Sequence, residues 1–326
     1  MIPDGICTEY PPCPNGCASD DVALFTAQDR LNGLPGEFQV VRCRHCGLIR
    51  TAPRPTAASI GHYYPESYSP YATTEVTGER TPRKRGLLFR IARAVSKRLV
   101  ELNTEVTPDI PKGRMLEIGC ASGSFLAHMA AQGWAVEGIE FGESAAAKAR
   151  AAGFRVQVSS IESAVDPDEP FDLVVGWMVV EHLHDPVAAL TKLASWVAPG
   201  AWLAISTPNA ASLDFRLFRR AGYALQVPTH LYHFSPTTLS ALLARSGWSV
   251  ERVYHQRILG NYLGSIGLLL EDLNAPRSLS EFFKNLPARR GYLNHALYPL
   301  AWLLSHFGQT GRITVWARRR AIEPHK

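Results

Sequence analysis

Leu116-Glu117-Ile118-Gly119-Cys120-Ala121-Ser122-Gly123-Ser124-Phe125 is the stretch whose reading decides the fold of this chain. Met115 to Ile118 reads as the end of a buried strand, and Phe125 to Gln132 as the start of a helix. Gly119 and Gly123 stand at the two ends of the turn between them. Glycine lacks Cβ, so the chain can bend sharply there and a ligand can approach its backbone. In an open α/β sheet such a turn also aims the free N–H groups of the helix start at the ligand crevice. The spacing is E-x-G-x-x-x-G, which differs from the G-x-G-x-x-G of dinucleotide enzymes.

The next apolar run, Ala135-Val136-Glu137-Gly138-Ile139-Glu140, reads as a second strand. It ends in an acid roughly 20 residues after the glycines, where a carboxylate can accept hydrogen bonds from both hydroxyls of a ribose. Charge-assisted bonds of this kind contribute roughly 1.5–3 kcal/mol each. A solvated acid at a strand end is the plainer alternative.

Alternation continues with a helix over Ser144–Ala152, strands at Arg155–Val158 and Phe171–Val175, a helix over Pro186–Val197 and a strand at Ala201–Ser206. Such alternation predicts a parallel sheet covered on both faces. Pro236–Ser246 then reads as a helix, and Ser249–His255 and Arg312–Ala317 as the last two strands. Residues 257–311 are left as an insertion before the final strand, read as a substrate lid or dimer surface in preference to an interfacial membrane contact. Its apolar stretches are shorter than the ~18 residues a bilayer span requires.

At 326 residues and 46% hydrophobic content, the chain is long and apolar enough for about two domains. Residues 1–56 form one unit, residues 57–110 a tyrosine-rich flap (Tyr63, Tyr64, Tyr68, Tyr71) followed by a basic amphipathic helix, and residues 111–320 the α/β domain. Met1-Ile2-Pro3-Asp4 shows no basic segment leading into an apolar one, so the expected location is cytoplasmic. The net charge of +5 is modest and concentrated in Arg80–Arg98 and Arg318–Arg320, which does not favour nucleic acid as a partner.

Of the six cysteines, four form two close pairs, Cys13/Cys17 and Cys43/Cys46, separated by strand-like Glu37–Val41. Two Cys pairs on turns joined by hairpin-like sequence have zinc-ribbon spacing, and four thiolates satisfy a closed tetrahedral, structural Zn²⁺ site. Cys7 is a poorer candidate ligand, and Cys120 reads as a small filler in the glycine turn.

Taken together these elements resemble the class I S-adenosylmethionine (SAM) methyltransferases. The likeness is to bacterial enzymes of sugar, polysaccharide and secondary-metabolite pathways that carry an N-terminal zinc ribbon. The residues that carry it are Leu116–Phe125, Glu140, Phe171-Asp172, Glu181-His182-Leu183-His184-Asp185-Pro186, Pro199-Gly200 and His230–Ser235, with the cysteine pairs and Tyr63-Tyr64-Pro65-Glu66. The resemblance implies a Rossmann-like sheet with helices on both faces, a small N-terminal zinc ribbon and a helical insertion before the last strand. It implies SAM as cofactor, lined by Glu117, Gly119, Ala121 and Gly123, with Glu140 on the ribose, Phe141 beside the adenine, and Ser160 and Ile161 at the adenine edge. Trp177 would lie near the reacting methyl group.

Such an enzyme must align a nucleophile with the S–CH₃ bond, and a hydroxyl acceptor also needs a base. Histidine suits that role at neutral pH, and His182, His230 and His233 are the candidates. In quinone-pathway O-methyltransferases sharing the Glu-His element, a further carboxylate three positions earlier helps bind a divalent metal. Here that position is Met178, which argues against a catalytic metal. The expected acceptor is a small molecule, with a carbohydrate among the candidates, and a homodimer is left open. An RNA base methyltransferase and a non-catalytic SAM-binding scaffold are the competing readings.

Overall fold

The computed structural model describes residues 2–64, 107–287 and 296–320. The N-terminal segment supplies β1 (Thr8–Glu9), β2 (Asp21–Ala27), β3 (Phe38–Cys43), β4 (Ile49–Thr51) and β5 (Arg54–Pro55). There follow β6 (Arg114–Ile118), α1 (Ser124–Ala130), β7 (Ala135–Glu140), α2 (Glu143–Ala151), β8 (Arg155–Val158) and β9 (Phe171–Trp177). Next come α3 (Pro186–Ser195), β10 (Val197–Pro208), α4 (Leu213–Phe218), β11 (Tyr232–His233), α5 (Pro236–Arg245) and β12 (Trp248–His255). The last elements are α6 (Gly260–Asp272), α7 (Arg277–Lys284), α8 (Tyr298–His306) and β13 (Arg312–Arg319).

Seven strands form the main sheet in the order β12-β13-β10-β9-β6-β7-β8. β10, β9, β6, β7 and β8 run parallel, and β13 is antiparallel to both β10 and β12. The chain begins in the middle at β6, steps outward through β7 and β8, and returns to the other side at β9. The order therefore reverses between β6 and β9, and in sheets of this kind ligands bind at the carboxyl ends beside that reversal. Met115, Leu116, Ile118, Leu173, Val174 and Val175 are all buried, as expected of central strands covered on both faces. Phe125, Leu126, Met129 and Ala149 cover one face, and Leu190, Leu193, Leu239 and Leu242 the other.

Two helix caps locate the segments that matter later. The Asp185 side chain accepts the Ala188 N–H with Pro186 opening α3, and Ser235 and Thr238 form a reciprocal box at the start of α5. The residues just before each cap, Glu181–His184 and Thr229–Phe234, are thereby held against the sheet. α3 stops at Ser195 and β10 begins at Val197, two residues from the predicted helix end.

A second sheet has the order β11-β4-β3-β2. Three of its strands come from the cysteine-bearing segment and the fourth from the loop after α4. Tyr232 pairs with Arg50 and His233 with Ile49. Nothing in the periodicity of residues 229–234 signals this pairing, because a two-residue strand is too short to show alternation. The insertion folds into α6, α7 and α8, turning its small residues inward: Gly264 lies against the Tyr223 ring and Gly267 against Lys284. Leu273, Phe282, Leu300 and Trp302 remain exposed on its outer faces. Among the described residues no helix is long and apolar enough to cross a membrane. Tyr68, Tyr71 and the basic amphipathic helix lie outside the described residues.

The approach of β7 to the glycine turn is tight. A Cβ on Gly138 would stand 2.6 Å from the Cys120 Sγ and 3.2 Å from Leu126 Cδ1. Gly138→Ala is expected to cost about 1–3 kcal/mol by overpacking, measured by denaturant unfolding. Adding Cys120→Ala should recover part of that loss, because it removes the nearest atom.

Candidate active site and thiol cluster

At the end of β6 the backbone folds over β7. The Gly119 and Cys120 N–H groups both donate to the Ile139 carbonyl, at 2.8 and 3.2 Å. Gly119 has φ +67°, and a Cβ there would meet Val179 Cγ2 at 2.6 Å, so only glycine lets this turn lie against the segment after β9. The Ala121 N–H donates to Glu140 Oε2 at 2.8 Å and the Gly142 N–H to Oε1 at 2.7 Å. Glu140 thus joins the glycine turn to the end of β7. Burial raises its pKa despite these N–H donors. Each oxygen accepts one backbone bond and keeps capacity for another, the requirement for gripping a vicinal diol.

Phe141, 64% exposed, presents a ring beside this carboxylate, and Ile161 is buried after β8. Ser160 bonds Ser163 in the same turn. Trp177 packs edge-on against Phe125 at 5.2 Å, and its buried Nε1 has no hydrogen-bond partner among the described residues. The expected SAM-lining residues therefore gather at the carboxyl ends of β6, β7, β8 and β9, and their chemistry fits the cofactor. Glu117 is buried beneath the turn. Burial, then the charges of Glu117 and Glu140, push the Cys120 thiol well above its ordinary range, so it stays a neutral filler. A separate cavity of about 230 Å³, lined by Arg114, Glu137, Arg155 and Trp196, opens at the opposite ends of the strands, away from this turn.

Beside the turn lies a buried polar cluster. Glu181 follows β9 and is wholly enclosed next to the Thr207 hydroxyl; neither carboxyl oxygen makes a well-formed hydrogen bond among the described residues. One donor atom from each of Glu181, His182 and His230 lies within 4.8 Å of the others. The His182 and His230 rings meet edge-on at 4.7 Å. The His182 Nδ1–H donates to the Thr229 carbonyl at 2.9 Å, with the Tyr64 hydroxyl 2.9 Å from the same nitrogen. The His230 Nδ1–H donates to the Ala224 carbonyl at 2.8 Å. With Nδ1 protonated in each ring, Nε2 is left as an acceptor in the neutral form. His233 is buried against Phe215, its ring nitrogens unpaired among the described residues. The structure thus brings together the three histidines expected from the sequence.

Burial keeps the Glu181 carboxyl and the three imidazoles uncharged near neutrality. Burial lowers His182 to about 4 and His233 to about 3. Burial, then His182 and His233, lower His230 well below its usual value. Burial pushes Glu181 up to about 8 and Asp214 up to about 6. Asp214 accepts the Ser265 hydroxyl at 2.9 Å, and Arg312 Nε donates to Asn261 Oδ1 at 3.2 Å. Sequence reasoning missed Asp214, Arg312 and Asn261. They come from α4, β13 and α6, and no spacing links such distant positions.

The four cysteines converge at the turn between β3 and β4. Each offers a sulfur within 4.8 Å of the other three, and Cys13 and Cys46 lie 3.5 Å apart. Zn–S bonds of about 2.3 Å give tetrahedral S···S edges of ~3.8 Å, so the set fits a thiolate-bound metal. Tight turns form both knuckles, with Gly16 N–H donating to Cys13 O at 2.9 Å and Gly47 N–H to Cys43 O at 3.0 Å. Asn15 Nδ2 donates to Cys46 Sγ at 3.7 Å and to the Thr238 carbonyl at 3.2 Å, tying the cluster to α5. Burial and the neighbouring thiols push Cys13 up to about 12; a divalent cation supplies the charge that lets such thiols ionise. Cys7 is exposed and lies outside the cluster.

The buried Glu181 carboxyl makes stability depend on pH. It titrates near 8 when folded against an ordinary value of 4.5. Between those values the unfolded chain releases a proton that the folded protein retains, so stability falls as pH rises through this window and nothing is lost below it. Relative to wild type, Glu181→Gln should gain up to about 3 kcal/mol at pH 7 and close to none at pH 4.5. Denaturant unfolding at both pH values checks this; an equal effect at both would refute it.

Comparison with known proteins agrees with this geometry. A family model described as a methyltransferase domain matches residues 89–253. The ubiquinone biosynthesis O-methyltransferase of Bordetella avium is 30% identical over 173 residues, covering 49% of this chain and 71% of that protein. The protein of the same name from Hahella chejuensis is 35% identical over 113 residues, covering 32% of this chain and 48% of that protein. With the second relative, then, the chain spans about half of its length. Among solved structures, magnesium protoporphyrin IX methyltransferase from Synechocystis PCC 6803 with bound SAH is similar at TM-score 0.41 and 14% identity, over 73% of this chain and 90% of that one. Sheet order, glycine turn and family match lead to one conclusion: the chain belongs to the class I SAM-dependent methyltransferases.

Proposed function

We propose that the protein methylates a hydroxyl group of a small molecule, a glycosyl or secondary-metabolite hydroxyl, with the acceptor bound over the Glu181/His182/His230/His233 cluster. The observation that carries this reading is the burial of these acid–base groups, neutral at pH 7, beside the β6/β9 reversal. A neutral amine attacks through its lone pair without such provision, whereas a hydroxyl must lose a proton as it is methylated. The relatives from Bordetella and Hahella are O-methyltransferases by name, which points the same way.

Bound SAM supplies a methyl group made electrophilic by the adjacent sulfonium. In this reading Glu117, Gly119, Ala121 and Gly123 line its pocket, Glu140 accepts the ribose hydroxyls, Phe141, Ser160 and Ile161 surround the adenine, and Trp177 flanks the reacting end. His182 is the general base. Its Nδ1–H, held by the Thr229 carbonyl, leaves Nε2 to receive the acceptor proton. Burial weakens His182 as a base, and an ionised Glu181 offsets that by stabilising the imidazolium. His230 and His233 enclose the acceptor and exclude water. Zinc is the metal assigned to Cys13, Cys17, Cys43 and Cys46, with a structural role. The ribbon's β4 is paired with β11 rather than open to a partner, which favours the small-molecule reading over RNA.

SAH release with purified protein and a panel of catechols, sugars and sugar nucleotides tests the reading. His182→Ala should lower kcat by roughly 10²–10⁴-fold while calorimetric SAH affinity stays near wild type. Glu140→Gln should instead weaken SAH binding by at least about tenfold. Near-normal turnover by His182→Ala, or turnover of amines or RNA alone, would overturn the assignment. Because Glu181 supports the base only when ionised, kcat should rise with pH through about 8, and Glu181→Gln should flatten that rise.

A further inference from the structure

Beside the β4–β11 ladder, the cysteine-bearing segment holds the acceptor side of the site by four connections through its own Thr51, Arg54 and Asn15. Thr51 is central to the first two: its N–H donates to the Leu231 carbonyl at 3.0 Å and its hydroxyl to the His230 carbonyl at 2.8 Å. Arg54 makes the third. Its buried guanidinium donates to the Tyr232 hydroxyl at 2.9 Å and to the His184 carbonyl at 2.9 Å, while Nε is held by Glu9 at 2.8 Å. The fourth is Asn15, bonded to both Cys46 and Thr238. His184 answers from the other side, its Nε2–H donating to the Pro55 carbonyl at 3.1 Å.

The route from the thiols to these contacts is short. Cys43 ends β3, its N–H donates to the Leu48 carbonyl at 2.9 Å, and β4 begins at Ile49, three residues after Cys46. Thr51 closes β4 and Arg54 opens β5. The cluster side is tied in turn to His230, since the Leu231 N–H donates to the Glu181 carbonyl at 2.9 Å. The cofactor side is built differently: Glu140 is held by Ala121 and Gly142 of the α/β domain itself.

We propose that the metal held by Cys13, Cys17, Cys43 and Cys46 fixes the acceptor half of the active site, with Thr51 and Arg54 as the positioning residues that transmit its order to His230 and to the Glu181–His184 turn. The cofactor half is independent of it. The word "acceptor" rests on the proposed function; the coupling itself does not. A small segment whose fold depends on a metal gains its order only when the metal binds. Here that order extends across β4 into a loop that carries two of the candidate histidines. Loss of the metal would therefore loosen the acceptor site while SAM still binds.

Amide hydrogen exchange of the full chain, read by mass spectrometry, tests this without any acceptor. Metal removal by a chelator should speed exchange over residues 226–235 and 179–185 by roughly tenfold or more, leave residues 114–142 unchanged, and leave calorimetric SAH affinity intact. Thr51→Val and Arg54→Gln should reproduce the loosening with one metal per chain still present, and Thr51→Ser should restore wild-type exchange. These variants decide the matter if Cys43→Ser fails to fold. Unchanged protection at 226–235 in the metal-free protein and in both variants would overturn the proposal, as would equal loosening at 114–142. If the expected pattern appears but His182→Ala retains turnover, the coupling stands and the general-base reading falls.

Discussion

A buried loop must pair its backbone polar groups, and residues 229–234 form such a loop. Thr229, His230, Leu231, Tyr232, His233 and Phe234 are all buried, yet only Tyr232 and His233 have strand geometry. Their partners come from elsewhere in the chain. β4 offers the ladder to β11, Thr51 binds the carbonyls of His230 and Leu231, Glu181 accepts the Leu231 N–H, and Ala210 donates to Phe234. Without these partners the loop would leave several polar groups unpaired in a dry interior, at about 1–3 kcal/mol each. The placement of the histidines, and the docking of the cysteine-bearing segment, both follow from this constraint.

The same burial sets the chemistry. Imidazoles enclosed among Phe215, Thr229 and each other bind protons poorly, so they remain neutral where free histidine would be partly charged. A carboxyl in the same surroundings holds its proton instead. Burial therefore moves Glu181 and His182 in opposite directions, a separation typical of sites that handle protons. Glu140 differs because two backbone N–H groups meet its carboxylate directly.

The insertion takes part in this interior as well as covering it. Asn261 and Ser265 on α6 reach Arg312 and Asp214, and Asn261 also donates to the Gly311 carbonyl at 3.0 Å. Arg312 begins β13 opposite Pro208, at the end of β10 that carries Thr207. One buried cation is thus placed beside Glu181 and Asp214 by a helix, a loop and an edge strand that meet only in the folded chain. The Gly264 contact with Tyr223 lets α6 approach closely enough for this.

Much of this was legible in the sequence alone. The alternation of apolar runs, the glycines at 119 and 123, the acid at 140 and the two cysteine pairs determined the sheet, the glycine turn with its acid and the thiol cluster, because each rests on local geometry. A strand, a turn and a helix start lie within ten residues, and a metal knuckle within five. Even the Glu-His element and the histidines at 230 and 233 stood out by residue type. What only the tertiary structure decided is how the distant pieces meet: that β11 completes the cysteine-bearing sheet, that Arg54 grips His184 across 130 residues, and that Glu181 is sealed away from solvent. Pairing across long separations leaves no periodicity in either partner, and burial is a property of the packed whole. The sequence could therefore nominate the ionisable residues, but only the fold could set their protonation.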